Sequence, residues 1–237
     1  MKEIKKYADE WDVSAKHFYD NGYYTWMQHA IGDFDTILEI GCGTGYSTLS
    51  LIENGHKVIA IDKNSECIKK ARNLIESSSV DEGEIVFLEG DITDDEFRNT
   101  LLSSFKFDAV ICWNIGSYWS KEMVEFYLPP MLEYGLSLEQ IVENPESSYS
   151  ELILWEACRL AKEKHVPIHI IDRGLELLNV TNDQYYKLLK EEFNFHEIVY
   201  NNLSATSISN SGRVLSVKGN KNSDEILKIV LLSILIK

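Results

Sequence analysis

The chain has only four cysteines, Cys42, Cys67, Cys112 and Cys158, and no two of them form a Cys-x-x-Cys pair. Tetrahedral zinc sites are commonly built from such pairs, so no metal site is expected. No apolar run approaches the ~20 residues of a membrane helix. The longest, Ile226–Ile236, is broken by Lys228. The stretch from Met1 to Glu10 lacks the apolar core of a secretory leader, and a reducing, cytoplasmic setting is expected. Positive charge is scarce: 23 Lys and Arg face 38 Asp and Glu, for a net charge of −15. Phosphate-backbone affinity comes from Lys and Arg. Their runs stop at pairs such as Lys5-Lys6 and Lys69-Lys70, so a nucleic-acid partner is disfavoured. The acidity reads as a solvated surface, with a cationic or amine partner as the weaker alternative.

What remains is an ordinary globular composition, 44% apolar and 26% charged over 237 residues, enough for one large core. Strand-like runs alternate with helical patterns. Thr36 to Ile40, Lys57 to Asp62, Glu84 to Glu89, Phe107 to Trp113 and Val166 to Ile171 read as strands. Tyr46 to Asn54, Asn64 to Ser77, Asp94 to Ser103 and residues 151–164 read as helices, the first closed by Gly55. Near-continuous Val, Ile and Leu suit strands buried on both faces. The alternation over 36–172 predicts an α/β fold, a doubly wound and mostly parallel sheet. Residues 1–34 look helical and aromatic. Residues 115–150, with Pro129-Pro130, interrupt the alternation. After 181 come a helix to about 191 and strands near Phe195–Leu203, Arg213–Val217 and Ile226–Ile236, the last either a final strand or an interaction surface. Which of the last two pairs with 195–203 is open.

The first strand ends in Glu39-Ile-Gly41-Cys-Gly43-Thr-Gly45. Glycine there permits a tight turn and close approach of a ligand to the backbone. The spacing is not the Gly-x-Gly-x-x-Gly dinucleotide fingerprint, because Tyr46 holds the sixth position. A ligand without a diphosphate is implied. Asp62 ends the second strand, where an acid can accept from both hydroxyls of a ribose or instead cap the next helix. Gly90-Asp91-Ile92 follows the third strand, where the carboxylate can take an exocyclic amine or simply shape a turn.

Together, Glu39-x-Gly41-x-Gly43-x-Gly45, Asp62 and Gly90-Asp91-Ile92 resemble the successive motifs of class I S-adenosylmethionine-dependent methyltransferases. The resemblance covers residues 36–172 and implies a seven-stranded Rossmann-like sheet closed by an antiparallel hairpin after 194. It implies S-adenosyl-L-methionine as cofactor and S-adenosyl-L-homocysteine as product. Gly41, Cys42, Gly43 and Gly45 would pack on the methionine part, with Glu39 orienting it. Asp62 would bind the ribose, Lys63 would lie beside the adenine, Asp91 would take its amine and Ile92 would pack on its ring. Trp113 and Asn114 would line the sulfonium side. The (Asp/Asn)-Pro-Pro-(Tyr/Phe) motif of base-directed enzymes is missing, since Asn114-Ile115-Gly116-Ser117 stands in its place. Cysteines arranged for arsenic methylation are missing too.

These readings give two segments: a helical lid over 1–34 and a cofactor-binding methyltransferase domain over 35–237, with a substrate-side insertion at about 115–150. The lid competes with simple packing of aromatic helices on the sheet. A catalytic residue cannot be named from the motifs; His17, His29 and Tyr19 are weak candidates, whereas His165 and His169 read as structural. Tyr23, Tyr24, Tyr118 and Trp119 are candidates for the acceptor pocket, and Glu122, Tyr127 and Glu133 lie in the same variable region. The expected activity is methyl transfer to a nitrogen, hydroxyl or carboxylate of a small molecule, by a monomer or homodimer with no membrane partner. The alternatives are a dinucleotide dehydrogenase, a non-catalytic cofactor-binding partner protein and a protein methyltransferase.

Overall fold

The computed structural model describes residues 2–115, 123–208 and 226–237. Two helices, α1 (Lys2–Asp20) and α2 (Tyr23–Ile31), precede β1 (Thr36–Ile40). Then follow α3 (Tyr46–Glu53), β2 (Lys57–Asp62), α4 (Ser65–Glu76), β3 (Ile85–Glu89), α5 (Asp95–Ser104) and β4 (Ala109–Trp113). The second half holds α6 (Val124–Tyr134), α7 (Leu138–Glu143), α8 (Pro145–Lys164), β5 (Ile168–Gly174), α9 (Tyr185–Glu192), β6 (Ile198–Ser207) and β7 (Leu227–Ile236).

The seven strands form one sheet in the order β3-β2-β1-β4-β5-β7-β6. The first five are parallel, and β7 runs antiparallel to both β5 and β6. This is the expected fold class. Strand alternation splits the core in two. Leu38 and Ile40 of β1 face a cluster containing Leu101 of α5, Leu152 of α8 and Leu189 of α9. Ile37 faces a cluster containing Met27 of α2, Leu51 of α3 and Ala71 of α4. Helices therefore cover both faces.

The C-terminal run is settled as a strand: β7 lies between β5 and β6, which explains its near-continuous apolar sequence, Ile229, Leu231, Ile234 and Ile236 being buried. It is β7 that pairs with β6; Arg213–Val217 lies outside the described residues. Local chemistry sets several boundaries. Asn64 caps α4 by accepting from the backbone N–H of Glu66 and Cys67, and Asp94 caps α5 in the same way. The helix expected from 151 starts earlier, because Pro145 stands in its first turn, where a missing N–H costs nothing. Pro129-Pro130 lies inside α6.

Candidate functional site

The turn after β1 brings three glycines into left-handed backbone, with φ of 75° at Gly41, 55° at Gly43 and 90° at Gly45. Each is demanded by a different neighbour. A Cβ on Gly41 would meet Ile115 Cδ1 at 2.8 Å, and one on Gly43 would meet Trp11 Nε1 at 2.5 Å. A Cβ on Gly45 would meet Ala71 at 2.8 Å, so this glycine seats α3 against α4. Gly41 and Gly43 line a cleft at the carboxyl ends of β1 and β2, the place where open α/β sheets bind ligands.

Asp62 closes β2 at the cleft wall. Its Oδ2 accepts from the Gly43 N–H at 2.9 Å and its Oδ1 from the Asn64 N–H at 2.8 Å. The carboxylate thus ties β2 to the glycine turn, while capping of α4 falls to Asn64. Burial raises the pKa of Asp62, against the two N–H donors that favour its anion.

Glu39 does not line the cleft. It is 1% exposed, and its two oxygens accept from Ser47 Oγ and Thr48 Oγ1, each at 2.5 Å. Burial pushes its pKa up to about 7 despite those hydroxyls. Glu39 anchors the first turn of α3 behind the glycine turn.

Asp91 lines the cleft, but its acceptors are engaged. Oδ1 takes Thr93 N–H at 3.0 Å and Thr93 Oγ1 at 2.8 Å; Oδ2 takes the hydroxyls of Tyr127 at 2.6 Å and Tyr149 at 2.5 Å. Burial works to raise its pKa, yet these donors and the nearby Lys63 hold it below the usual value. Lys63 Nζ lies 3.5 Å from the Tyr149 ring centroid, is buried, and has no hydrogen-bond partner among the described residues. Burial lowers its pKa to about 8, against the pull of Asp91 and Asp62.

Ile92, Ile115 and Ile153 give the cleft an apolar wall, and Tyr7 and Trp11 of α1 close it from the N-terminal side. With the open solvent at its mouth the space measures about 590 Å³. These residues fit a nucleoside bearing a positive charge: open backbone at Gly41–Gly43, a carboxylate at the end of β2, an apolar shelf and aromatic faces. The buried Lys63 ammonium is a free donor in the same wall.

Of the residues expected to hold the cofactor, Gly41, Gly43, Asp62, Lys63, Asp91 and Ile92 line this cleft. Cys42 is buried, and burial raises its thiol pKa. Trp113 also turns inward: its indole N–H donates to His169 Nδ1 at 2.9 Å, and its ring stacks on Tyr24. Asn114 accepts from Arg173 Nε at 3.0 Å. Neither Trp113 nor Asn114 is part of the cleft wall; Ile115 takes that position. Tyr23 bonds to Thr206, and so does His17, which ties α1 and α2 to β6. Tyr19 donates to Glu53 on the outer side of α3, and His29 is exposed on α2. None of His17, His29 and Tyr19 lines the cleft. Tyr118, Trp119 and Glu122 lie outside the described residues.

Trp11 is one of the N-terminal aromatics expected in the lid, whereas Tyr149, which lines the cleft, and Arg173, which lies behind it, carry no local sequence signal. The Arg173 guanidinium lies 5.2 Å from the Trp11 ring centroid and 4.8 Å from that of Phe18, behind the wall that Trp11 forms.

Residues 37–129 match the family model of a methyltransferase domain. The chain is 39% identical over 61 residues to ribosomal RNA small subunit methyltransferase A of Caulobacter vibrioides, across 26% of this chain and 22% of that protein. It is 32% identical over 80 residues to the cypemycin N-terminal methyltransferase of a Streptomyces species, across 33% of this chain and 31% of that protein. The chain thus spans less than a third of the length of either relative. A solved structure concerned with the conversion of a disulfide bond into a thioacetal group during echinomycin biosynthesis is similar at a TM-score of 0.52 and 14% identity. It covers 91% of this chain and 81% of that one, a likeness of fold.

Proposed function

We propose that this chain, which carries a class I S-adenosylmethionine-dependent methyltransferase domain, transfers a methyl group to a nitrogen, oxygen or carboxylate of a small molecule. The observation that carries the reading is the cleft at the ends of β1 and β2, where the bare backbone of Gly41 and Gly43 meets the Asp62 carboxylate. When bound, S-adenosylmethionine would supply an activated methyl carbon, open to in-line attack by an acceptor lone pair as the carbon–sulfur bond breaks and its electron pair stays on sulfur.

The chain's own part is to bind and to orient. Gly41 and Gly43 let the cofactor approach the backbone. Asp62 accepts from the ribose hydroxyls with the lone pairs that its two N–H donors leave free. Ile92, Ile115 and Ile153 exclude water from the base. Glu39 acts at one remove, by fixing α3 and the turn. Tyr7 and Trp11 make α1 a lid over the cofactor.

The acidic surface favours a small molecule over a nucleic acid. A protein or peptide acceptor is the second reading, favoured by the relative named as an N-terminal methyltransferase. All four cysteines are free and buried, which supports a reducing cytoplasm. Among the described residues no helix is long and apolar enough to cross a membrane.

Thermal unfolding with S-adenosylmethionine, S-adenosylhomocysteine and NAD tests the reading, because a ligand that binds only the folded state raises its apparent stability. Shifts with the first two and none with NAD are expected. A shift with NAD alone would overturn it.

A further inference from the structure

Across Ile115 from the cofactor cleft lies a second cavity of about 1140 Å³ including its mouth. It opens at the carboxyl ends of β4 and β5, between α8 and α9, and Ile115 is a wall of both spaces. Every charged residue in its described lining is an acid: Glu151 of α8 and Asp172 of β5.

The two acids differ in their surroundings. Asp172 Oδ2 accepts from Tyr186 Oη at 2.8 Å, and Oδ1 accepts from the Arg173 N–H at 2.7 Å. The Arg173 side chain lies over Trp11 and Phe18, and no ion pair joins it to Asp172. Glu151 is half-buried and has neither a hydrogen bond nor an ion pair among the described residues; burial alone raises its pKa. Beside it the Tyr185 hydroxyl is buried, with the Tyr134 hydroxyl as its polar neighbour. A half-buried carboxylate with no partner among the described residues is unfavourable unless something polar occupies the space. The rings of Tyr185 and Tyr186, edge to face at 5.1 Å, add aromatic surface that attracts a cation.

We propose that this cavity is the acceptor pocket and that it takes an organic amine, bound as its ammonium by Glu151 and Asp172 beside the Tyr185–Tyr186 pair; one N–H proton passes to the Glu151 carboxylate, and the nitrogen lone pair so freed takes the methyl group as sulfur keeps the electron pair of the broken bond. The assignment rests on the methyltransferase reading, because only the position across Ile115 from the cofactor cleft makes the occupant a methyl acceptor. It favours the amine among the acceptor classes, since a carboxylate would face two acids with no cation in the described lining and a hydroxyl would leave their charge unmatched.

Calorimetric titration of the full chain, saturated with S-adenosylhomocysteine, tests this with three probes of similar shape: phenethylamine, phenylacetate and 2-phenylethanol. The amine is expected to bind most tightly. Glu151→Gln, which removes a charge that no partner among the described residues holds, is expected to weaken it about tenfold, as loss of a charge-assisted hydrogen bond does. Glu151→Gln with Asp172→Asn should abolish binding, and neither variant should change S-adenosylhomocysteine affinity. Absence of amine binding, tighter binding of phenylacetate, or an amine affinity unmoved by Glu151→Gln would overturn the proposal. If S-adenosylhomocysteine fails to bind while the amine still binds through Glu151, the ammonium site stands and the methyltransferase reading falls.

Discussion

Trp11 packs its indole against Gly43 so closely that any Cβ at that position would lie 2.5 Å from Trp11 Nε1. A helix that starts at the second residue is thereby coupled to the turn that follows the first strand. Trp11→Ala should leave the fold intact, because the side chain is only partly buried. Its effect should be a loss of S-adenosylhomocysteine affinity of about tenfold, read by calorimetry. An unchanged affinity in a folded variant would make α1 a packing element and not a lid.

Gly43→Ala places a side chain both in left-handed backbone and into the Trp11 indole. A cost of about 1–3 kcal/mol in unfolding free energy is expected from the two together. Gly43→Ala with Trp11→Ala should recover the steric part only. Urea denaturation of the four proteins checks this, and purely additive costs would show that the contact is absent.

The sequence makes the sheet legible because each parallel strand is a short apolar run with punctuation at both ends. The glycine turn, Asp62 and Ile92 are legible for the same reason, being local to strand ends. What local pattern does not encode is which side chain crosses over to meet them. Tyr127 and Tyr149 reach Asp91 from 36 and 58 residues away, and Trp11 reaches Gly43 from another helix. Glu39 was readable as an important acid but not as an inward-facing one. Its direction follows from Ser47 and Thr48, which α3 places opposite it. The inward turn of Trp113 likewise depends on His169, which becomes its neighbour only when β5 pairs with β4.

The hydroxyls on Asp91 make a separate prediction. Tyr149→Phe removes one donor to a half-buried carboxylate and should cost about 1.5–3 kcal/mol of stability. It also frees one acceptor site in the cleft. If Asp91 takes the adenine amine, S-adenosylhomocysteine should bind the variant at least as tightly as wild type. Weaker binding in the variant would place the adenine elsewhere.

His169 is buried and neutral, accepting from Trp113 at Nδ1 and donating to Ser233 at 2.8 Å from Nε2. Burial lowers its pKa to about 3, from an ordinary value near 6.5. Between those values the unfolded chain binds the extra proton and the folded chain does not, so this group's contribution is present above pH 6.5 and is lost as the pH falls towards 3. Glu39 has the opposite slope. Its raised pKa makes the folded chain hold the extra proton between about 4.5 and 7, so its contribution is full below 4.5 and declines as the pH rises through 7. Glu39→Gln should therefore remove a loss of stability between pH 5 and 7, and His169→Gln a loss between pH 6 and 4. Chemical denaturation at a series of pH values reads both differences, and parallel profiles for wild type and variant would contradict them.

In the proposed reading the cleft between Gly41–Gly43 and Asp62 holds the adenosyl cofactor. Isothermal titration of S-adenosylhomocysteine into the wild-type chain and into Asp62→Asn tests it most directly. One molecule is predicted to bind per chain, with affinity reduced about tenfold or more in the variant through loss of a charged acceptor. Equal affinity for both proteins, or no heat with folded wild type, would contradict the account.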